Sequence, residues 1–297
     1  MNQQNGPELP LSNPKVRGEP LFPLRDFSLY VEQHSLSGSV GSHDHDCTEL
    51  AIVTGGRGLL IADDYSYSVS VGDVFVSPPG RFHALQDVED MTVYDMLFDL
   101  SALNIDLKDL SRLPGYQALF TLEPAMRETR GYPNQLRLRT AQLVTCMTLI
   151  EQMLREFKEQ EKGCRFMLAS LLQQLIGYLS RCYTHIESTA VNEVSRLAKV
   201  LSFMEENYAD DLSVSALASA GGISDRTLRR EFRKVLGVSP IEHLTMLRIR
   251  KSERLLLNSP FNITETALRC GFADSNYFSR AFRRVNGTSP RDFRRKP

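Results

Sequence analysis

No run of about 18 apolar residues occurs in this chain, so nothing in it reads as a membrane-spanning helix. The N-terminus lacks an apolar core as well. MNQQNGPELPLSNPKVRGEP holds four prolines and no h-region, and it reads as a loose arm (1–20) rather than a signal peptide. Cysteine is scarce: Cys47, Cys146, Cys164, Cys182 and Cys270 are odd in number and form no CxxC pair. That argues against a disulfide framework and for a reducing cytoplasm. Net charge is nearly absent too, at -1 over 297 residues.

The near-neutral total conceals an asymmetry. Residues 1–190 carry 16 Lys+Arg against 24 Asp+Glu, whereas residues 191–297 carry 19 against 12. An acidic first part joined to a basic last third suggests that only the latter meets a polyanion. The length allows two or three domains, and 42% apolar with 24% charged residues is ordinary for a globular protein.

Between about 27 and 98 the chain reads as short strands. YSYSVSV (65–71) alternates with period two, and ELAIV, GLLIA, DVFVS and TVYDMLF are β-rich runs separated by Gly, Pro and Asp. Evenly spaced strands of this kind predict a small antiparallel barrel or sandwich over 21–110. A helical segment follows over 111–183. Leu136, Thr140, Leu143, Met147, Ile150, Leu154 and Phe157 recur at steps of four and three, an a/d seam of about three heptads. Leu136, Leu143, Met147, Ile150, Leu154 and Phe157 are therefore candidate dimer contacts, with packing inside one domain as the alternative. Leu168, Leu171, Leu172, Leu175, Leu179 and Cys182 mark a second helix with an intradomain face, and 184–193 reads as a polar linker.

From 194 to 297 the chain repeats itself. REFRKVLGVSP (230–240) and RAFRRVNGTSP (280–290) agree at seven of eleven positions, offset by 50. Upstream of each lies a short helix, a glycine turn (Gly221-Gly222, Gly271) and a second helix. Ser224 and Asp274 are N-cap candidates, Gly237 and Gly287 stop the second helices, and Pro240 and Pro290 open new ones. These are two helix-turn-helix units, whose second helices would enter the major groove.

SDRTLRREFRKVLGVSP and CGFADSNYFSRAFRRVNGTSP resemble the DNA-binding domain of the AraC/XylS family of bacterial transcription regulators. LRIRKSERLLLNS (247–259) resembles the long helix that joins its two units. The resemblance implies DNA contacts at Arg226, Arg229 and Arg230 on the first recognition helix and at Ser275, Asn276, Ser279 and Arg280 on the second. Arg226, Arg229 and Asn276 are candidates for base readout, since Arg pairs with guanine and Asn with adenine. Arg230 and Arg280, equivalent in the two copies, are alternatively backbone anchors. Leu228, Phe232, Phe278 and Phe282 are core.

In the first half, His43-x-His45-x3-Glu49-x6-Gly56 and Gly72-x5-Pro78-x-Gly80-x2-His83 resemble the two cupin motifs, with Asp87 where Asn is usual. LFDLS (97–101) and LFTLEPAMR (119–127) extend the resemblance to rhamnose-responsive activators. His43, His45, Glu49 and His83 are thus candidates to bind a small-molecule effector, directly or through a divalent metal, or to be inert polar residues of the barrel mouth. The expected fold is α+β: a cupin-like antiparallel barrel with a helical dimerisation segment, then an all-α double helix-turn-helix domain. The expected function is a cytoplasmic, sugar-responsive activator without catalysis or a committed cofactor. Its expected partners are promoter DNA, a carbohydrate, a second copy of the chain and RNA polymerase, and no membrane. The competing readings are a metal-dependent cupin enzyme fused to a DNA-binding domain, and a ligand-independent DNA-binding protein.

Overall fold

Two strands of this protein are long enough to serve two sheets at once. β3 (Thr48–Ala62) and β6 (His83–Phe98) run antiparallel along their lengths, with register shifts between Val53 and Leu59. On one side of the shifts, β1 (Leu29–Leu36) and β5 (Val74–Ser77) flank them. On the other, β2 (Val40–His43) and β4 (Tyr65–Ser70) do so. The bulges bend the strands, so two leaves share β3 and β6 and face each other. Gly56 is required at the bend: its φ is +67°, and a Cβ there would lie 2.2 Å from the Glu89 carbonyl oxygen. The computed structural model describes residues 22, 24, 26–62, 65–103, 105–130, 136–184 and 191–295. The predicted arm (1–20) and most of the predicted linker (184–193) lie outside them.

Period-two alternation sorts the side chains of β3. Ala51 and Val53 point between the leaves, where they meet Val40, Leu60, Val69, Phe75, Leu85 and Val93. Leu50 and Ile52 point outward and join a second core with the helices. ELAIV is continuously apolar because both of its faces are covered.

The helices begin with a 3-10 turn (Leu110–Arg112), α1 (Pro114–Tyr116), a π-helical stretch (Gln117–Leu122) and α2 (Glu123–Arg130). α3 (Thr140–Glu159) and α4 (Cys164–Thr184) form an antiparallel pair against the outer face of β1. The predicted helical seam over 136–157 is corrected at its start. Leu136 is not helical: its carbonyl accepts from Val74 N–H and Leu138 N–H donates to Gly72 O, which clamps 136–138 as extended chain on the β4–β5 turn. Arg137 holds Asp73 with two 2.8 Å bonds, and α3 starts only at Thr140. Leu136 and Ile150 are fully buried in this chain's own core, and Leu143, Met147, Leu154 and Phe157 pack against it. Phe157, for example, meets the Tyr30 ring of β1 edge-on at 6.2 Å. Leu136 and Ile150 are thus committed to this chain's own core, and the other four seam residues pack against it while keeping part of their surface exposed.

The last third is α5 (Val191–Asn207), α6 (Val214–Gly221), α7 (Asp225–Leu236), α8 (Pro240–Asn258), α9 (Ile263–Arg269), α10 (Ser275–Asn286) and α11 (Pro290–Arg294). Its two units are stabilised differently. Leu217, Leu228, Phe232, Leu244 and Leu247 of the first belong to the same apolar cluster as α4 and the outer β-face. The second has its own cluster, built on Ile249, Leu256, Phe272, Phe278 and Phe282. α8 supplies side chains to both. Ser111 Oγ donates to Glu205 and Lys251 pairs with the same carboxylate at 2.6 Å, which adds polar ties across the first junction.

Candidate functional site

The β2–β6 register places His43 opposite His83. Glu49, on β3, lies opposite Ser77 of β5 and points between the leaves. His45 follows β2 in a turn tied down by Gly80 N–H donating to its carbonyl. All four predicted residues of the histidine motif therefore come together. The ring centroids lie 4.4 Å apart for His43 and His83, 5.0 Å for His43 and His45, and 5.7 Å for His45 and His83. The Nε2 atom of His83 is 2.8 Å from Glu49 Oε2, with both side chains buried.

Burial and charge pull the four groups apart electrostatically. Burial lowers the pKa of His43, helped by the adjacent His83, and burial likewise lowers that of His45 despite the Glu49 carboxylate. For His83 burial opposes charge, but Glu49 more than offsets it and the imidazole is raised. Burial also works against the Glu49 carboxylate; His83, His45 and His43 outweigh it and hold the acid below its ordinary range.

Sequence reasoning missed two neighbours. Asp95 of β6 sits beside Glu49, and burial together with that carboxylate pushes its pKa well above the usual value. Arg127 of α2 is buried, donates Nη1–H to Val76 O at 3.0 Å, and leaves Nε and Nη2 without partners. It shares a crevice of ≈ 20 Å³ with Ser77, Arg81 and His83. A larger one of ≈ 360 Å³, lined by Ser39, Ser42, Phe82, His83, Gln86 and Asp87, opens on the other side of His83. Asp95 occupies a strand position like any other, and Arg127 arrives through tertiary packing, so neither carries a local signal.

At the other end of the chain the predicted caps form. Ser224 Oγ accepts from Thr227 N–H, and Asp274 accepts from the N–H groups of Asn276 and Tyr277. Gly237 and Gly287 are left-handed with φ of 72° and 70°. Arg226, Arg229 and Arg230 are exposed on α7, as are Asn276 and Arg280 on α10. Leu228, Phe232, Phe278 and Phe282 are fully buried on the opposite faces. Two of the predicted DNA contacts have partners already. Arg230 Nε donates to Glu231 at 2.8 Å, and Ser279 Oγ donates to the Ser275 carbonyl. Tyr277, 43% exposed and tilted against Phe272, adds an aromatic that the motif reading overlooked. α8, 19 residues long, spans about 28 Å at 1.5 Å per residue. That is close to the one-turn separation, about 34 Å, of successive major-groove segments on one DNA face.

A family model described as an AraC-like ligand binding domain matches residues 28–176, and one described as a helix-turn-helix domain matches 217–296. The HTH-type transcriptional activator RhaS of Escherichia coli O1:K1 / APEC is 30% identical over 92% of this chain and 94% of its own length. The chain belongs to the AraC family of transcription regulators. Among solved structures, an AraC-type regulator from Chromobacterium violaceum is 30% identical, covers 36% of this chain and 98% of its own, and has a TM-score of 0.34. A single-substitution variant of ToxT from Vibrio cholerae, in its apo form, is 14% identical over 90% of this chain and 97% of that one, with a TM-score of 0.36. As an AraC-family regulator the chain carries a DNA-binding helix-turn-helix domain and a ligand-binding domain ahead of it. The matched models and the curated relative are those of regulators and not of enzymes. No described helix is long and apolar enough to cross a membrane.

Proposed function

We propose that the chain is a transcription activator whose DNA binding is controlled by a sugar held at the His43, His45, Glu49 and His83 end of the β-domain. The observation that carries this reading is the convergence of three imidazoles and a buried carboxylate beside an open crevice, within a domain of the ligand-binding family. A polyhydroxylated molecule needs closely spaced donors and acceptors, which this group supplies and the apolar remainder of the interior does not. The resemblance to rhamnose-responsive activators supports both the sugar and the sign of regulation. A homodimer would set two tandem helix-turn-helix pairs on one promoter, with RNA polymerase as the third partner. The ligand would shift the population toward the arrangement that spans both DNA segments.

The test is thermal unfolding of the full chain against a panel of monosaccharides. A true effector at a hundred times its Kd stabilises by about 2.7 kcal/mol, and its effect should vanish in a Glu49→Gln variant. A flat response across the panel, with tight operator binding that no sugar alters, would favour a ligand-independent regulator. Sedimentation of the chain with and without operator DNA tests the dimer.

A further inference from the structure

At the junction between the β-domain's helices and the last third, several charges are firmly paired. Glu205 of α5 takes Lys251 at 2.6 Å and a bond from Ser111 Oγ, and Arg254 meets Asp106 at 2.9 Å. A crevice of ≈ 440 Å³ at the same junction is different. Arg112 and Pro114 line it from the 3-10 turn and α1, Lys199, Ser202, Phe203 and Glu206 from α5, and α6 closes the far side. Lys199, Ser202 and Glu206 stand three and four residues apart, so they share one helix face. Lys199 has no ion-pair partner among the described residues. Arg112 has only Asp109, 4.0 Å away with a fully exposed side chain, and a pair of that kind is worth little. The Nε of Arg112 is buried and makes no bond. Ser202 is 4% exposed, and its Oγ is unbonded as well. The buried Ser180 and Ser252 turn their hydroxyls back onto helix carbonyls, those of Ile176 and Ile249, and Ser202 does not. Buried polar groups are almost always bonded, so two unbonded donors lining one crevice point to an acceptor brought by a ligand.

We infer that this crevice binds a small phosphomonoester through Arg112, Lys199 and Ser202. A guanidinium fork, an ammonium and a hydroxyl are all donors. A phosphate monoester brings three acceptor oxygens and a charge of about −1.5 to −2 at pH 7, which matches two cations where a carboxylate matches one. The volume exceeds what a bare phosphate fills and lies within the range of about 300–1,000 Å³ typical of small-molecule sites, so the ligand has a body as well as a head. Pro114 and Phe203 give that body an apolar surface, and the exposed Glu206 carboxylate suits a hydroxyl on it. Sugar phosphates have this chemistry. The site is separate from the crevices at His83 and stands apart from the effector reading given above. Its place gives it a regulatory reach. Arg112 and Pro114 fall within the match to the AraC-like ligand binding domain, whereas α6 runs into the helix-turn-helix match that begins at 217. A molecule held between them binds the packed arrangement of the two domains and so stabilises it.

The experiment titrates the full chain with inorganic phosphate, glycerol 3-phosphate, ribose 5-phosphate and glucose 6-phosphate, against chloride at equal ionic strength. Thermal unfolding reads the affinity and calorimetry the stoichiometry. One equivalent per chain is expected, with at least one of the esters bound about tenfold more tightly than inorganic phosphate. Arg112→Gln and Lys199→Gln should each weaken that binding by about tenfold or more. Ser202→Ala should weaken it too, yet leave the ligand-free chain at least as stable as the parent, because it removes an unbonded buried hydroxyl; a purely structural Ser202 would show the reverse. Lys162→Gln, which removes an exposed cation from the α3–α4 turn, should bind as the parent does. Parent-like melting midpoints without phosphate certify that the variants are folded. A flat response to all three esters overturns the inference. So does undiminished binding in the folded Arg112→Gln/Lys199→Gln double variant, which would put the phosphate on another basic surface. A loss of operator affinity for all sequences in that double variant, without added phosphate, overturns it as well and assigns the crevice to the DNA backbone.

Discussion

Phe232 and Phe282 occupy equivalent positions of the repeated unit, and both are fully buried, yet truncating them should have different reach. Phe282 belongs to the small cluster of the second helix-turn-helix, whereas Phe232 belongs to the core that runs on through α5 into α4 and the outer face of β1, β3 and β6. A buried Phe→Ala change costs about 3–5 kcal/mol through lost transfer energy and the cavity left behind. At about 1.4 kcal/mol per tenfold, that is at least a hundredfold in the opening equilibrium of whichever unit holds the ring. Phe282→Ala should therefore raise amide exchange across α9–α11 by at least about a hundredfold and leave β3 and β6 protected as before. Phe232→Ala should instead lower protection in α6, α7 and α4 together and pull down the melting of the β-domain. Hydrogen exchange read by mass spectrometry on the two variants separates these outcomes. If Phe282→Ala deprotects β3 as strongly as α10, or if Phe232→Ala leaves β3 untouched, the division of the core drawn here is wrong.

Two further expectations concern the same third of the chain. Arg229→Ala should relax operator specificity at a single base position, where a bidentate Arg–guanine pair provides about 1–3 kcal/mol of discrimination, as measured by selection from a randomised operator; a uniform loss over all sequences would make Arg229 a phosphate contact. His243, packed edge-on against Phe232 at 5.8 Å, has its pKa lowered to about 4 by burial and by Arg250. Because the folded value lies below the unfolded one, the unfolded chain binds more protons between about pH 6.5 and 4. Stability is fully present above that window and falls with pH inside it, by up to about 3 kcal/mol, and chemical denaturation of His243→Gln at pH 7 and pH 5 should show a shallower loss than the parent chain.

The two helix-turn-helix units were legible because their information is local. Ser224, Asp274, Gly237 and Gly287 terminate helices through bonds to residues within one turn, and a cap reads the same in sequence and in space. The histidine cluster was legible for a related reason: its motif spacing matches the β2–β6 pairing that sets His43 against His83. The start of the α3 seam misled because steps of three and four describe any apolar stripe, in a helix or in the chain that leads into one. Nothing in Leu143, Met147 and Ile150 distinguishes a partner subunit from this chain's own β1, and only the clamp of 136–138 onto Gly72 and Val74 shows where the helix starts. Asp95 and Arg127 were invisible for the opposite reason: their importance depends on what lies across the fold from them.

α2 stands between the two functions. Its Arg127 shares a crevice with His83, and the helix itself packs against α7 of the helix-turn-helix domain. A ligand that binds beside His83 and repositions Arg127 therefore acts on an element in contact with the helix-turn-helix domain. Contact alone does not make a switch, because a ligand shifts an equilibrium only by the difference in its affinities for the two states. Arg127 is suited to create such a difference: it is held by one backbone bond, and its Nε and Nη2 gain partners only if something approaches or the helix moves. Linkage then fixes a consequence that requires no knowledge of the path. An effector that strengthens operator binding tenfold must itself bind tenfold more tightly to the DNA-bound chain, a coupling of about 1.4 kcal/mol measured from either side.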